Sequence, residues 1–264
     1  MIQIIRPGPL TTVQDLGRPG YGVWGIAPGG AADRRSFTLA NRLVGNDETA
    51  GALEITDGGF EARFDKPATI ALTGAPCPVT VAGRSAAMNC PIRVPTAARL
   101  AVGYPTRGLR TYLAVRGGLD TPCVLGSRAT DLIAGLGLGA VSAGDELPIG
   151  TDTAGFPNVD IAPVAALPDT ITVRALTGPR ADWFTPEALH LLYQAAYTVT
   201  PASNRIGIRL AGPPLVHAIT REMPSEPAIR GALEVPPDGQ PILFLTDHPT
   251  TCGYPVIAVA EPDD

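Results

Sequence analysis

Lysine is nearly absent from this chain: of its 20 basic residues only Lys66 is a lysine, in Phe64-Asp65-Lys66-Pro67. A Walker-type phosphate loop needs Gly-Lys-Ser/Thr and therefore has no place here. Lys66 also lacks the setting of a biotin-carrying lysine, and as the single candidate for a Schiff base it reads as a solvated turn before proline. Charge is scarce as well, at 17% of residues with a formal net charge of −5. Such a chain exerts no sequence-independent attraction on a phosphate backbone, so nucleic acid is not an expected partner. The four cysteines, Cys77, Cys90, Cys123 and Cys252, never approach Cys-x-x-Cys spacing. They signal neither a zinc site nor a redox pair and read as buried thiols. Long apolar runs are missing too. Met1 to Pro7 breaks before it reaches signal-peptide length, and Leu132 to Val141, the longest uncharged apolar run, is far short of a membrane span. The expectation is a soluble, cytoplasmic protein with no membrane partner. No Ser-His-Asp order, metal-ligand triplet or Gly-x-Ser-x-Gly elbow is present, so self-sufficient hydrolysis has no signature and no metal is expected.

What the chain has in excess is glycine and proline. Its 30 glycines and 28 prolines are about twice the usual combined share of roughly 12%, scattered singly between apolar runs. That spacing predicts many turns and many short strands. The runs Ala68–Thr73, Val79–Ala82, Leu100–Val102, Thr111–Val115, Ile171–Leu176, Gly207–Leu210, Ala232–Val235, Ile242–Thr246 and Val256–Ala260 have strand lengths and β-branched content. Two segments read as helices. Asp33 to Leu43 places Phe37, Ala40, Leu43 and Val44 at helical spacing and stops at Gly45-Asn46. The second opens on a Thr185 cap, Pro186 at the first helical position and Glu187, and runs to about Gln194. With 264 residues, 45% of them apolar, the chain can bury the core of one large or two compact domains. Residues 151–169 mix Thr, Asp, Pro and Ala without period and read as a linker. The expected fold is mainly β, with two barrel-like halves, residues 1–150 and 170–264, each carrying one helix.

Four clusters combine polar side chains with glycine. Thr11-Thr12-Val13-Gln14-Asp15-Leu16-Gly17-Arg18-Pro19-Gly20-Tyr21 reads as a turn in which Asp15 holds the glycine region, or as a binding loop. Ala27-Pro28-Gly29-Gly30-Ala31-Ala32-Asp33 approaches a helix start where backbone N–H groups could receive an anion, unless Asp33 simply caps that helix. In Gly126-Ser127-Arg128-Ala129-Thr130 the planar fork of Arg128 suits a carboxylate or phosphate, or is a surface arginine. Gly135 to Gly139 imitates a dinucleotide loop, but its third glycine is misplaced. The densest polar region comprises Ser225-Glu226, Glu234 to Pro241 and Asp247-His248-Pro249-Thr250-Thr251-Cys252-Gly253-Tyr254-Pro255. His248, next to an aspartate and two residues from a pair of hydroxyls, is either an acid–base group near neutral pH or a loop histidine with no task. From composition and spacing alone the chain is a mainly-β binding or catalytic subunit.

The motif from Thr11 to Tyr21, with Gly29-Gly30-Ala31-Ala32-Asp33, Ala40-Asn41-Arg42-Leu43-Val44-Gly45-Asn46 and Leu53-Glu54, resembles the allophanate hydrolase subunit 2 family. That family is also named for the C-type subunit of 5-oxoprolinase, and is related to biotin-dependent carboxyltransferases. The resemblance continues through Tyr112 to Gly118, Leu125-Gly126-Ser127-Arg128, Asn204 to Leu210, Val235 to Pro241 and Thr250 to Pro255. It departs from the pattern where Cys252 replaces the glycine of Thr-Thr-Gly-Gly-Tyr-Pro and where Glu234 replaces a glutamine before Val-Pro. A cysteine fits a glycine position only where φ is negative, and Glu234 brings a new carboxylate close to the expected site. Family members also run on through one more helix and strand where this chain ends at Glu261-Pro262-Asp263-Asp264, so the second half is expected to lack them or the tail is absent from this chain.

The resemblance implies a cyclophilin-like β-barrel architecture and a partner, subunit 1 of the same system, in a heterodimer or heterotetramer. It implies a subunit of an ATP-dependent amidohydrolase of the 5-oxoprolinase or allophanate hydrolase type, acting on a small cyclic or linear amide, with ATP bound here or on the partner. Two alternatives share the scaffold: half of a urea-type carboxyltransferase using biotin carried by another chain, and a regulatory subunit that antagonises a kinase inhibitor. The acid–base candidates are Asp33, Glu226, Asp247 and His248. The substrate- or anion-binding candidates are Thr12, Gln14, Asp15, Ser127, Arg128, Arg205, Gln240, Thr250, Thr251 and Tyr254.

Overall fold

Strands dominate, as the scattered glycines and prolines predict. The computed structural model describes residues 1–261, so the expectations for Pro262 to Asp264 lie outside the described residues. The chain divides into two units, residues 1–18 with 29–168, and residues 19–28 with the described residues from Asp169 onward.

The first unit contains β1 (Ile2–Pro7), β2 (Leu10–Gln14), α1 (Arg34–Leu43), β3 (Ala52–Thr56), β4 (Phe60–Phe64), β5 (Ala68–Gly74), β6 (Val79–Val81), β7 (Arg84–Ala86), β8 (Ile92–Val94), β9 (Arg99–Val102), β10 (Arg110–Val115) and β11 (Glu146–Leu147). These strands form two antiparallel sheets, ordered β11-β1-β4-β9-β6-β7 and β2-β3-β10-β5-β8. Successive side chains of a strand point to opposite faces, and both faces of the second sheet are used. Leu53, Ile55, Ile70, Leu72, Leu113 and Val115 join Ile2, Ile4, Phe60, Phe64 and Leu100 of the first sheet in one core. From the opposite face, Ala52, Ala71, Tyr112 and Ala114 pack against Phe37, Ala40 and Leu43 of α1. Each such leucine, isoleucine or phenylalanine stabilises by about 1.5–3 kcal/mol when removed from water. The helix starts where Asp33 Oδ1 accepts the Ser36 N–H (2.9 Å) and ends at Gly45, whose φ of 73° is the left-handed stop the sequence predicts. Residues 151–168 carry no regular element; Ala154 and Gly155 donate to Gly45 O, and Ala162 donates to Asn89 O.

The second unit contains β12 (Ala175–Thr177), α2 (Pro186–Gln194), β13 (Thr198–Val199), β14 (Gly207–Ala211), β15 (Glu226–Pro227), β16 (Ala232–Glu234), β17 (Ile242–Phe244), β18 (Thr251–Cys252) and β19 (Val256–Ala260). Six of these strands form the sheet β12-β19-β16-β17-β14-β13, while β15 pairs with β18 alone. The Thr185 hydroxyl accepts the Ala188 N–H and Pro186 occupies the first turn of α2, as expected. Ala188 of α2 is buried with Trp183, Phe184, Leu215 and Ile257. A separate cluster gathers Ala232, Ile242, Phe244, Cys252 and Val256.

The mainly-β expectation and the one helix per half hold. The sheets are not closed barrels, however. Each large sheet keeps two edge strands that do not pair with each other: β11 and β7, β2 and β8, and β12 and β13. β12 also begins at Ala175, later than the predicted Ile171, and Cys123 is exposed where a buried thiol was expected. No helix among the described residues is long and apolar enough to cross a membrane.

Candidate functional site

Each unit gathers one group of the residues singled out from the sequence. In the first unit the organiser is Asp15, just beyond β2. Its Oδ1 accepts the Gly17 N–H (2.7 Å) and the Ser127 hydroxyl (2.6 Å), and its Oδ2 accepts the Arg128 N–H (2.6 Å). Three donors on one buried carboxylate tie the 15–18 turn to the 124–130 loop, more than a hundred residues away in the chain. Asp15 O also accepts the Ala31 N–H, and at Gly30, with φ +86°, a Cβ would lie 2.7 Å from Gly17 N. Only glycine fits there. The Arg128 guanidinium is held by Thr121 O and by Asp120 Oδ1 (3.1 Å). Gln14 Nε2 donates to Thr12 Oγ1 (2.9 Å) and Thr130 O (3.1 Å).

Arg18, which sequence reasoning left out of the candidates, is 1% exposed. Its guanidinium donates to Val124 O and Ala129 O, while its Nη1, like Gln14 Oε1 and Thr121 Oγ1, is buried without a hydrogen-bond partner. Buried groups left unpaired in this way cost about 1–3 kcal/mol each, so donor and acceptor capacity is held in reserve around one loop. The glycine-rich approach to α1, by contrast, is already filled. Ala32 N donates to Glu54 Oε2 (2.9 Å), Asp33 N donates to the Tyr112 hydroxyl (2.8 Å), and Asp33 itself caps the helix. The Tyr112 hydroxyl donates in turn to Glu54 Oε2 (2.9 Å); burial, then the Glu54 charge, hold this phenol well above its usual range.

In the second unit Asp247 and Arg205 form a buried side-on pair, 3% and 5% exposed, with Nε to Oδ2 at 2.7 Å and Nη2 to Oδ1 at 2.9 Å. Asp247 N also donates to Arg205 O. The pair anchors the loop that carries His248. This ring stacks on Phe244 (centroids 5.9 Å apart) and its Nδ1 lies 2.7 Å from Pro249 O. A carbonyl can only accept, so Nδ1 carries the proton and the Nε2 lone pair is left over. Nε2 has no partner among the described residues, and the residue is 5% exposed. His217 stands edge-on to Phe184, and burial first of all holds its pKa below the ordinary histidine value.

Glu226 is engaged by Arg180, whose Nε lies 3.0 and 2.9 Å from the two carboxylate oxygens; hydrogen bonds from Arg180 hold the carboxyl below its usual range. Gln240 pairs both its amide groups with the backbone of Gly212, accepting at 2.9 Å and donating at 3.2 Å. Thr250 O accepts the Ala228 N–H, Thr251 opposes Pro227 in the β15–β18 pair, and Tyr254 is largely exposed. Of the four acid–base candidates, Asp33 caps a helix, Glu226 and Asp247 are held by arginines, and His248 alone presents a vacant basic atom. Among the described residues no His, Cys, Asp and Glu side chains are grouped as metal ligands. Arg180, like Arg18, has no local sequence signal: its partner lies 46 residues away.

Comparison with known proteins agrees with these motifs. The profile of the carboxyltransferase domain, subdomain A and B, matches residues 24–264. The chain is 39% identical over 261 residues to the C-type subunit of 5-oxoprolinase from Escherichia coli, covering 98% of this chain and 84% of that protein. It is 35% identical over 229 residues to urea amidolyase of Lachancea kluyveri, covering 80% of this chain but only 12% of that protein. The crystal structure of the Kluyveromyces lactis urea amidolyase superimposes with a TM-score of 0.92 at 31% identity, over 99% of this chain and 17% of the other. The chain thus spans less than a fifth of either urea amidolyase.

Proposed function

The chain belongs to the carboxyltransferase-domain family of the subdomain A and B type, and from that premise we propose that it is the C-type subunit of a heteromeric, ATP-dependent amidohydrolase of the 5-oxoprolinase kind. The observation that carries this reading is length: the likeness to a C-type subunit of 5-oxoprolinase runs through 84% of that protein, whereas the urea amidolyases are matched over a small part of their length. The substrate is then a small cyclic or linear amide, and the partner is subunit 1 of the same system. An amide C–N bond is hydrolysed when water adds to the carbonyl carbon, the charge developing on the carbonyl oxygen is met, and the departing nitrogen receives a proton. ATP, bound on a partner chain, would supply the activation of that oxygen. His248 would move the proton at Nε2, with Nδ1–H held by Pro249 O and the loop fixed by the Arg205–Asp247 pair.

A second reading, half of a biotin-dependent urea-type carboxyltransferase, is favoured by the family description and by the urea amidolyase superposition. The biotin would come from another chain, since Lys66, in Phe64-Asp65-Lys66-Pro67, lacks the setting of a carrier lysine. The test is to co-purify the chain with its neighbouring subunits and measure phosphate release with 5-oxoproline, allophanate or urea. Release that depends on 5-oxoproline, and that falls by roughly 10²–10⁴ in His248→Ala with the complex intact, supports the proposal. A stable complex that releases no phosphate with 5-oxoproline or allophanate overturns it, and normal turnover in His248→Ala removes the histidine from the chemistry.

A further inference from the structure

A cavity of about 510 Å³ in the first unit takes no part in the clusters described above. Thr69, Arg93 and Arg116 line it together with Pro67, Val94 and Ile149, and no carboxylate does. Its polar residues form one row across three strands. Thr69 of β5 opposes Arg93 of β8, and on the other side Arg116, directly after β10, donates its N–H to Thr69 O (2.8 Å). Residues opposed in an antiparallel ladder project from the same face, with Cα atoms about 4.5–5.5 Å apart. The two arginines therefore flank the threonine hydroxyl on one surface.

Their guanidinium groups are unequally engaged. Arg116 Nη1 donates to Val44 O (2.8 Å) and Gly155 O (2.6 Å), and the group lies 5.1 Å from the Phe156 ring centroid. This fixes the side chain and leaves Nε and Nη2 without a partner among the described residues. Arg93 makes no hydrogen bond or ion pair among them. In a chain of net charge −5, the two arginines are a local excess of cation around a hollow that has an apolar wall.

We propose that this cavity binds an organic phosphate, its phosphate oxygens received by Arg93, Arg116 and the Thr69 hydroxyl and its organic part lying over Pro67 and Ile149. A carboxylate offers two oxygens in one plane and is satisfied by a single guanidinium fork. A phosphate offers three strong acceptor oxygens and close to two charges, which matches two forks and a hydroxyl. The site does not rest on the proton-transfer reading of His248.

The test is calorimetric titration of the full chain with AMP, with inorganic phosphate and with glutamate, on wild type, Arg93→Gln and Thr69→Val. Arg93 is exposed and bonds to nothing, so Arg93→Gln is expected to fold as wild type, which circular dichroism checks. AMP is expected to bind more tightly than inorganic phosphate, to weaken with rising salt, and to lose affinity by roughly tenfold or more in Arg93→Gln and several-fold in Thr69→Val. The proposal is overturned by absence of AMP binding at millimolar concentration, by equal AMP affinity in wild type and Arg93→Gln, by inorganic phosphate binding as tightly as AMP, or by glutamate binding as tightly as AMP with the same dependence on Arg93.

Discussion

Replacing Asp247 by asparagine keeps the shape of the side chain but removes the charge opposite Arg205. Both groups are almost fully buried and meet through two hydrogen bonds, at 2.7 and 2.9 Å. A guanidinium left in that setting without its carboxylate is expected to cost about 3–5 kcal/mol, the usual penalty for breaking one side of a buried pair. With a urea m-value near ~2 kcal/mol/M, the midpoint of unfolding falls by roughly 1.5–2.5 M. The chain provides its own reporter. It has two tryptophans, of which Trp24 is 71% exposed and Trp183 is 6% exposed within the second unit. In a Trp24→Phe background the fluorescence of Trp183 follows the unit that contains the pair. The double variant Arg205→Met, Asp247→Leu removes both charges and is expected to recover most of the loss, because an apolar pair of similar volume no longer carries a desolvated ion. An Asp247→Asn variant within about 1 kcal/mol of wild type, or a double variant as unstable as the two single changes added together, would refute the argument that charge pairing holds this loop.

Two further outcomes follow from the second unit. Burial raises the Glu234 carboxyl above the ordinary glutamate value, so the folded state keeps a proton that the unfolded chain releases. The resulting stability is complete below the unfolded value of about 4.3 and is lost as pH rises through the raised one; Glu234→Gln should flatten this loss between pH 4 and pH 8 in urea midpoints, and parallel profiles for the two proteins would contradict it. Burial and the adjoining Glu234 carboxyl push the Cys252 thiol up to about 11, whereas Cys123 is exposed; mass spectrometry after iodoacetamide treatment at pH 8 should find Cys123 alkylated well before Cys252, and the reverse order would overturn the assignment.

The elements legible in the sequence are those whose side chains obey one local period. Both helices, with their Asp33 and Thr185 caps, and the strands β5, β6, β9, β10, β14, β16, β17 and β19 lie where the apolar spacing and the flanking glycines place them. β2 was hidden because Thr11, Thr12 and Gln14 are buried although polar, which inverts the pattern expected of a half-buried strand. Their partners explain the inversion: Thr11 bonds Pro7 O, and Gln14 bonds Thr12 and Thr130 O. The site was legible only as motifs. Asp-Leu-Gly announces the turn that Asp15 holds, but nothing near Arg18 says that its guanidinium turns inward, because the carbonyls that receive it belong to Val124 and Ala129. Arg205 and Asp247 are 42 residues apart, and pairing at such a distance leaves no periodic trace.

The two positions expected to depart from the resembled motif, Glu234 and Cys252, meet in space. Cys252 lies in β18 and is absent from the non-glycine residues with positive φ, so its backbone meets the condition under which a cysteine fits a glycine position. Glu234 lies in the central strand β16, opposite Ile242 on one side and Val256 on the other, and both of these residues share a buried cluster with Cys252. The thiol and the carboxyl are near enough that a charge on Glu234 raises the thiol and a hydrogen bond with Cys252 lowers the carboxyl. A carboxyl in an apolar cluster is costly when ionised, and Glu234 Oε2 has no hydrogen-bond partner. With glycine at 252 no side chain from β18 would stand beside that carboxyl. Cysteine there fills the space with a weak donor and little added polarity. The two changes therefore act as one, and substituting either residue alone would leave the other in surroundings suited to the pair.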